Sequence, residues 1–234
     1  MAHASAFILH QRPYRETSLL LDVFSEQYGR SSLVAKGVRN KKRNQSGALQ
    51  VYQPLLLSWI GRGALQTLTH VETAEPRYIL KAESALCGLY LNELLVRLLP
   101  LHEAEPGIFK AYQQALLGLQ QEENTEVVLR LFEKRLLSHL GYGLVLNSEV
   151  ENGLPIEGEQ RYYYQPDSGL YRWQSHLKCG SISGRSLQHL LNESDFDQQS
   201  LQEIKQLMRT VIHYYLDGKP LKSRQLFAEL KQYS

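Results

Sequence analysis

Two hydrophobic periodicities follow one another along this chain of 234 residues, and the change between them falls near residue 78. Before that point, short segments rich in Leu, Val, Ile, Thr and aromatic residues show the partial alternation of β-strands. After it, apolar residues recur every three or four positions, as on one face of an α-helix. This order predicts an α+β fold in which a β domain precedes a helical domain.

The β part contains five strand-like segments: 6–10, 18–24, 31–36, 55–60 and 65–71. Turn residues separate them at Arg12-Pro13, Tyr28-Gly29, Gly37 and Gly61-Arg62-Gly63. Five short strands suit a small closed barrel, because a sandwich usually needs about seven strands and about 100 residues. We therefore predict a five-stranded OB-fold barrel over residues 1–77.

The helical part occupies residues 78–234. Pro100 closes its first leucine-rich segment, and Pro106 stands where a second helix can begin. A tyrosine-rich stretch around residues 150–180 interrupts the helical pattern, and its Pro166–Gly169 segment is typical of a hairpin turn. We predict an all-α domain that carries a small β insertion at this stretch.

Positive charge is concentrated in the β part. Residues 1–80 hold ten Lys and Arg against five Asp and Glu, whereas the whole chain has a formal charge of +2. No carboxylate occurs between Glu26 and Glu72, so a surface formed by this stretch carries uncompensated positive potential. Four aromatic residues are interspersed with these cations: Tyr14, Tyr28, Tyr52 and Trp59. Cations and rings on an OB barrel favour the binding of oligonucleotides.

The cations of this region are the candidate contacts to nucleic-acid phosphates: Arg12, Arg15, Arg30, Lys36, Arg39, Lys41, Lys42, Arg43 and Arg62. Residues 39–47 contain no apolar anchor, and we expect them to form a mobile loop. A simpler interpretation is that the loop cations only keep the loop soluble. The acid-free stretch on a predicted barrel favours the binding interpretation over it.

The helical part offers a second candidate site. Lys205 and Arg209 lie four residues apart beside an apolar stripe, and Arg130 holds a comparable position on another helix. Such a surface suits an acidic peptide with a hydrophobic end. The alternative is ordinary helix surface, since cations often flank an apolar stripe.

Signatures of catalysis are absent from the sequence. It has no phosphate-binding glycine loop and no Gly-x-Ser-x-Gly elbow, and its eight histidines show no His-x3-His spacing. Cys87 and Cys179 are too few for a disulfide framework or a four-cysteine zinc site, which suits a reducing compartment. We expect a protein that is not an enzyme and that uses no cofactor or metal.

Two alternative functions stay open. Glu149, Glu151, Glu157 and Glu159 could gather Mg²⁺ as in a metal-dependent nuclease, although they fall in a polar loop where solvated surface is the simpler interpretation. The second alternative is an RNA-binding OB protein, because attraction to phosphates does not distinguish ribose from deoxyribose. No apolar run reaches the length of a membrane helix, and no export signal is recognisable, so we expect a cytoplasmic protein without membrane association.

Ordered segments from both parts of the chain resemble the RecO family of bacterial recombination mediators. They are Ala6–Leu9, Tyr14–Leu19, Leu33–Arg39, Pro54–Leu57, Gly88–Leu95, Leu136–Gly143 and Gly218–Arg224. The resemblance therefore covers nearly the whole chain. Many family members carry a four-cysteine zinc motif in the middle region, whereas this chain has only Cys179 there. We expect no zinc, with the β insertion replacing what the metal would organise.

The resemblance implies a DNA repair and recombination mediator. Such a protein binds single- and double-stranded DNA and anneals complementary strands without ATP. With RecR it helps RecA load onto strands coated by single-stranded-DNA-binding protein, and it is associated with the nucleoid in the cytoplasm. The resemblance also suggests the acidic C-terminal tail of the coating protein as the peptide for Arg130, Lys205 and Arg209.

Overall fold

The computed structural model describes residues 2–39, 47–74, 78–177 and 179–232. They form two compact units, of which the first combines residues 1–123 with 221–234 and the second comprises residues 124–220. The predicted mobile loop falls mainly on residues 40–46, which lie outside the described residues.

A closed five-stranded barrel occupies the beginning of the first unit. Its strands are β1 (Ala2–Tyr14), β2 (Ser18–Ser25), β3 (Gly29–Ala35), β4 (Leu55–Ile60) and β5 (Gln66–Thr73). Their order around the barrel is β1-β2-β3-β5-β4, and β1 pairs with β4 to close it. Only the β3–β5 pair is parallel among these pairings. The predicted OB-like barrel is thereby confirmed.

Strand β1 is longer than predicted, and the turn expected at Arg12-Pro13 is wrong. Both residues lie within β1, where Arg12 pairs with Leu20 and Pro13 with Leu19 of β2. The pairing of β1 with β4 covers only residues 2–6, so Pro13 lies in a part of the strand where a missing N–H is tolerated. The chain instead turns at residues 15–17.

Helices complete both units. In the described ranges they are α1 (Ala82–Leu98), α2 (Pro106–Gln120), α3 (Thr125–His139), α4 (Gly184–Asn192), α5 (Gln198–Tyr215) and α6 (Lys222–Gln232). Pro106 opens α2 at its first turn, as predicted. None of these helices combines the length and the apolar composition that crossing a bilayer requires.

Helix α2 packs on aromatic residues of the barrel. Phe7 of β1 and Phe24 of β2 are directly paired across the two strands, and both are fully buried. The ring centroid of Phe109 lies 5.4 Å from the centroids of both phenylalanines, and that of Tyr112 lies 5.1 Å from Phe7. Buried aromatic rings contribute large apolar areas. These contacts pack α2 against the barrel wall, on the face of β1 opposite to Ala6 and Ile8, which belong to the core of the barrel interior.

A buried polar network fixes α1 against the same strand. The side-chain amide of Asn92, which is 2% exposed, donates from Nδ2 to the carbonyl oxygen of Leu9 at 2.9 Å. The hydroxyl of Tyr112 donates to Asn92 Oδ1 at 2.6 Å. Satisfied polar groups of this kind specify one packing arrangement, because any other arrangement leaves buried groups without partners.

Helix α6 is joined to α1 by the Glu93 carboxylate. This carboxylate accepts hydrogen bonds from the backbone N–H groups of Lys222 and Ser223 at 2.9 and 2.8 Å, and from the Ser223 hydroxyl at 2.7 Å. Burial alone would raise the pKa of Glu93, but these hydrogen bonds and Arg97 outweigh it, so the pKa is lowered. A carboxylate at a helix N-terminus also interacts favourably with the helix dipole.

The second unit contains the predicted β insertion. Its strands are β6 (Arg161–Gln165), β7 (Gly169–Arg172) and β8 (Ile182–Ser183), in the order β7-β6-β8. The predicted turn before Gly169 connects β6 to β7 and is confirmed. Helix α4, which follows β8, was not predicted, because its sequence begins with Gly184 and has few apolar positions.

Glu203 of α5 binds the N-terminal end of α4. Its Oε2 accepts hydrogen bonds from the backbone N–H of Ser183 and from the hydroxyls of Ser183 and Ser186, at 2.7 to 2.9 Å. Its Oε1 accepts one from Arg161 at 3.1 Å. Burial alone would raise the pKa of Glu203, but the hydrogen bonds outweigh it and lower the pKa to about 2.

We expect Glu203→Gln to change how stability depends on pH. The pKa of Glu203 is lower in the folded protein, so its stabilisation is complete above the unfolded value, about 4.3, and is lost as the pH falls through about 2. Near neutral pH the substitution should lower the free energy of unfolding by about 1–3 kcal/mol. Urea unfolding measured from pH 7 to pH 2 should show this difference shrinking below about pH 4.3. The exposed Glu159→Gln is the control, and a difference that stays constant with pH would contradict the expectation.

Candidate nucleic-acid interface

Three segments of the barrel meet at the turn between β1 and β2. The backbone N–H of Arg39, just beyond β3, donates to the carbonyl oxygen of Thr17 at 3.0 Å. The parallel pairing of β3 with β5 places Val34 opposite Thr67, which also pairs with Ile60 of β4. The end of β3, the first turn and the start of β5 therefore lie side by side.

A cleft of about 610 Å³ opens where these segments meet. We call it the barrel cleft. It is lined by Tyr14, Arg15, Glu16, Thr17, Ser18, Val34, Lys36, Gly37, Leu65, Gln66 and Thr67. Most of these side chains are polar, and two of them are the cations Arg15 and Lys36. Their hydroxyl, amide and cationic groups are those that bind phosphate and sugar oxygens.

The cations of the barrel cleft are exposed. Arg15, Lys36 and the neighbouring Arg39 each reach solvent. The Arg15 guanidinium carbon lies 5.3 Å from the centre of the Tyr14 ring, within the range of a cation–π interaction. Glu16 also lines the cleft, so its negative charge offsets part of this potential. The remaining positive charge and the Tyr14 ring suit a single strand, with its phosphates and flat bases.

The backbone holds Arg15 in position. Its φ of 52° falls in the left-handed region, which costs a non-glycine residue about 1–2 kcal/mol. Arg39 contributes a second constraint, because its Nη1 donates to the Arg15 carbonyl oxygen at 3.4 Å. The turn is therefore attached to the end of β3 through both backbone and side chain.

Other predicted phosphate contacts occupy different places. Arg62 is exposed in the connection from β4 to β5 that also supplies Leu65 to the barrel cleft. Arg12 is exposed on β1. The loop cations Lys41, Lys42 and Arg43 lie outside the described residues.

Arg30 does not join the barrel cleft. It lies near the start of β3, five residues before that strand ends, and is half-buried. Its Nε donates to the carbonyl oxygen of Leu99 at 3.0 Å. Burial lowers the pKa of Arg30 more than the nearby Asp22 raises it. In this conformation the guanidinium supports the contact between β3 and the segment after α1.

Two of the four predicted aromatic residues are not available for stacking. Tyr52 and Trp59 are buried, at 8% and 4% exposure, and the Tyr52 hydroxyl donates to the carbonyl oxygen of Ala85 at 2.8 Å. Tyr28 is 45% exposed, with its ring edge-on to Trp59. Tyr14 and Tyr28 therefore present ring surface, and the expectation for Tyr52 and Trp59 is wrong.

The three predicted peptide contacts lie in the second unit. Arg209 is exposed on α5, and half-buried Lys205 forms an ion pair with Glu126 at 2.5 Å. Arg130 is only 5% exposed, contrary to a surface position, and its Nη2 lies 3.0 Å from Glu133 Oε1. Among the described residues, Arg130 Nε and Nη1 have no hydrogen-bond partner. Unsatisfied donors of a buried cation are groups that a carboxylate could pair with.

Two of the carboxylates in the nuclease alternative, Glu149 and Glu157, accept hydrogen bonds from an arginine instead. Arg172 donates from Nε and Nη2 to Glu149 Oε1, at 3.1 and 2.8 Å, and from Nη2 to Glu157 Oε1 at 3.2 Å. Burial alone would raise the pKa of Glu149, but the hydrogen bonds of Arg172 and Asn152 outweigh it and lower the pKa. Within the described ranges, no three His, Cys, Asp or Glu side chains are grouped so that they could hold a metal ion.

Four polar residues of the barrel cleft were missed by the sequence interpretation: Thr17, Ser18, Gln66 and Thr67. All four are uncharged; Thr17 and Ser18 lie at the turn before β2 and at its start, whereas Gln66 and Thr67 begin β5. Only the closure of the barrel brings them together, so no local pattern marks them.

The fold and the cleft define a class. A closed barrel of OB-like strand order, with cations and a tyrosine around a polar cleft, is the arrangement of OB proteins that bind oligonucleotides.

Comparison with known proteins specifies the family. The model described as Recombination protein O N terminal matches residues 1–77, and the one described as Recombination protein O C terminal matches residues 81–225. The DNA repair protein RecO of Nitrosococcus oceani is 45% identical over 228 residues, which cover 97% of this chain and 93% of that protein. Its namesake in Methylococcus capsulatus is 42% identical over 222 residues, covering 95% and 91%. The chain belongs to the RecO family of DNA repair proteins.

Proposed function

We propose that this protein is a recombination mediator that binds single- and double-stranded DNA at the barrel cleft. The observation that carries the proposal is that Arg15 and Lys36 line one cleft of the barrel, with Arg39 hydrogen-bonded to the turn that carries Arg15. Arg12 and Arg62, which are exposed on the same barrel, and the cations Lys41, Lys42 and Arg43 are further phosphate contacts in the proposal. Contacts to phosphates are nearly independent of base sequence, as a repair protein requires.

Annealing follows from such binding without any covalent chemistry. Two complementary strands repel one another because both are polyanions, and cations at the barrel cleft reduce that repulsion. Contacts made to phosphates leave base edges free to pair. The proposed activity therefore needs no ATP, and the protein makes and breaks no bond. The ion pairs of Glu149 and Glu157 with Arg172 give the nuclease alternative no support.

The partners form the second part of the proposal. We propose the second unit as the site for the acidic C-terminal tail of single-stranded-DNA-binding protein. There Arg209 is exposed and Lys205 would exchange its ion pair with Glu126 for one with the tail, whereas Arg130 is buried and could reach a tail carboxylate only after rearrangement. RecR and, through it, RecA follow from membership of the family. A cytoplasmic, nucleoid-associated location follows from the same proposal.

An annealing assay tests the activity. Two complementary labelled oligonucleotides are mixed with the protein and Mg²⁺, without ATP, and both duplex formation and strand length are followed. We expect faster pairing with unchanged strand length, also when the coating protein is present. Shortened strands would favour a nuclease, and unchanged pairing rates would reject the proposal. The same assay with RNA strands tests the preference for DNA.

A further inference from the structure

Three tyrosine rings are grouped in the second unit, outside the sites described above. We call Tyr142, Tyr214 and Tyr215 the tyrosine patch. The rings of Tyr142 and Tyr215 are stacked, with centroids 4.0 Å apart and planes inclined by 16°. The ring of Tyr214 meets that of Tyr215 edge-on, with centroids 5.3 Å apart. The patch therefore contains one stack of two nearly parallel rings, those of Tyr142 and Tyr215.

The patch is open to solvent. Tyr142 is 41% exposed and Tyr214 is 50% exposed. One face of Tyr142 is covered by Tyr215, so its opposite face is the one that can accept another planar group. Large aromatic rings usually contribute to a core or an interface, and exposed grouped rings mark interaction surfaces.

Asp167 fixes the rings through their hydroxyl groups. The Tyr214 hydroxyl donates to Asp167 Oδ2 at 2.6 Å, and the Tyr215 hydroxyl donates to Asp167 Oδ1 at 2.9 Å. Burial and these contacts with Asp167 raise the pKa of Tyr215, so its ring stays neutral at physiological pH. Because both hydroxyls are engaged, what these rings offer a ligand is mainly their apolar faces and edges.

We propose that the tyrosine patch stacks unpaired nucleobases, and this inference rests on the proposed DNA-binding function. A base adds to the exposed face of Tyr142 and continues the stack that Tyr215 begins. Lys219, four residues beyond Tyr215 and with a 69% exposed side chain, lies 3.9 Å from Asp217 Oδ2, and a phosphate beside the patch would compete with this exposed ion pair for the Lys219 cation. Stacking on aromatic rings accepts every base, because each base has a π-face.

Chemistry at the patch favours a base over an acidic peptide. The carboxylate of Asp167 lies beside two of the rings and repels any anion, so it disfavours a chain of carboxylates and also keeps the phosphates of a DNA strand away from the rings. A base is uncharged and flat, so it needs ring faces rather than cations. A duplex keeps its bases stacked internally, and we therefore expect the patch to act on single strands only.

Binding of two chemically matched chains tests the inference. Fluorescence anisotropy is measured with a labelled single-stranded oligothymidine and with an abasic deoxyribose-phosphate chain of the same length. Wild type should bind the base-containing chain about tenfold more tightly. Tyr142→Leu should lose about five- to tenfold in affinity for that chain and nothing for the abasic chain. Tyr142→Phe keeps the ring and should behave as wild type.

Each outcome decides one claim. Equal oligothymidine affinities for Tyr142→Leu and wild type would overturn the inference and leave the proposed function intact. Failure of wild type to bind either chain would overturn the proposed function itself. Photocrosslinking of wild type to a 5-iodouracil oligonucleotide avoids any folding defect of the variants. An adduct within the tyrosine patch supports the inference, and adducts confined to other peptides contradict it.

Discussion

Replacing both Arg15 and Lys36 by alanine is expected to flatten the salt dependence of single-strand binding. Each phosphate that a cation neutralises contributes about −0.7 to the slope of log K against log salt concentration. Both cations line the barrel cleft and reach solvent, so the slope should become shallower by about one to one and a half units. Anisotropy titrations at several salt concentrations measure it directly.

The control for this variant removes two other cations of the same unit. Lys81, just before α1, and Lys110 of α2 are both exposed, so Lys81→Ala with Lys110→Ala makes the same change in net charge. If only cations at the barrel cleft contact phosphates, the control variant keeps the wild-type slope of log K against log salt concentration. Equal slopes for the two double variants would show that net charge, and not the barrel cleft, governs binding.

Gly29→Ala is expected to lower the free energy of unfolding by roughly 2–5 kcal/mol. Gly29 has a φ of 64°, where an L-residue is strained, and an added Cβ would lie 1.8 Å from the carbonyl oxygen of Glu103. That segment is held in place, because His102 N–H donates to the Arg30 carbonyl oxygen at 2.8 Å. The overlap is therefore with fixed backbone. Urea unfolding followed by the emission of buried Trp59, in a background where Trp173 is replaced by Phe, measures the loss.

Gly37→Ala separates strain from overlap. Gly37 has a similar φ of 72°, but an added Cβ would meet nothing within 4 Å among the described residues. This substitution should cost only the strain of the left-handed backbone, about 1–2 kcal/mol. If both glycine variants lose the same stability, the contact between Gly29 and Glu103 does not determine the effect.

Much of the barrel could be predicted because its signals are local. Alternating apolar residues identified all five strands, and glycines marked the connections. The turn predicted at Arg12-Pro13 was wrong. Proline indicates a turn more often than a strand, but it is also tolerated in a strand where one side is unpaired. Helix α4 was not predicted, because only three of its nine residues are large and apolar and its first residue is a glycine.

The candidate site was predictable only in part. A run of cations shows that positive charge is present, but it does not show which cation is exposed. Arg30 and Arg15 have the same side chain, yet one donates to the backbone inside its unit and the other lines a cleft. Likewise, burial of Tyr52 and exposure of Tyr28 depend on barrel packing. The tyrosine patch combines two residues of α5 with Tyr142 from the segment after α3, and Asp167 of a hairpin turn fixes it, and no spacing rule connects these positions.

The attachment of α6 to Glu93 has a consequence for how the chain matures. The first unit combines residues 1–123 with residues 221–234, so it is complete only after α6 has been synthesised. Residues 124–220 emerge earlier and do not wait for it. A premature stop after Pro220 would therefore destabilise the first unit, although the missing residues are far from residues 1–123 in the sequence.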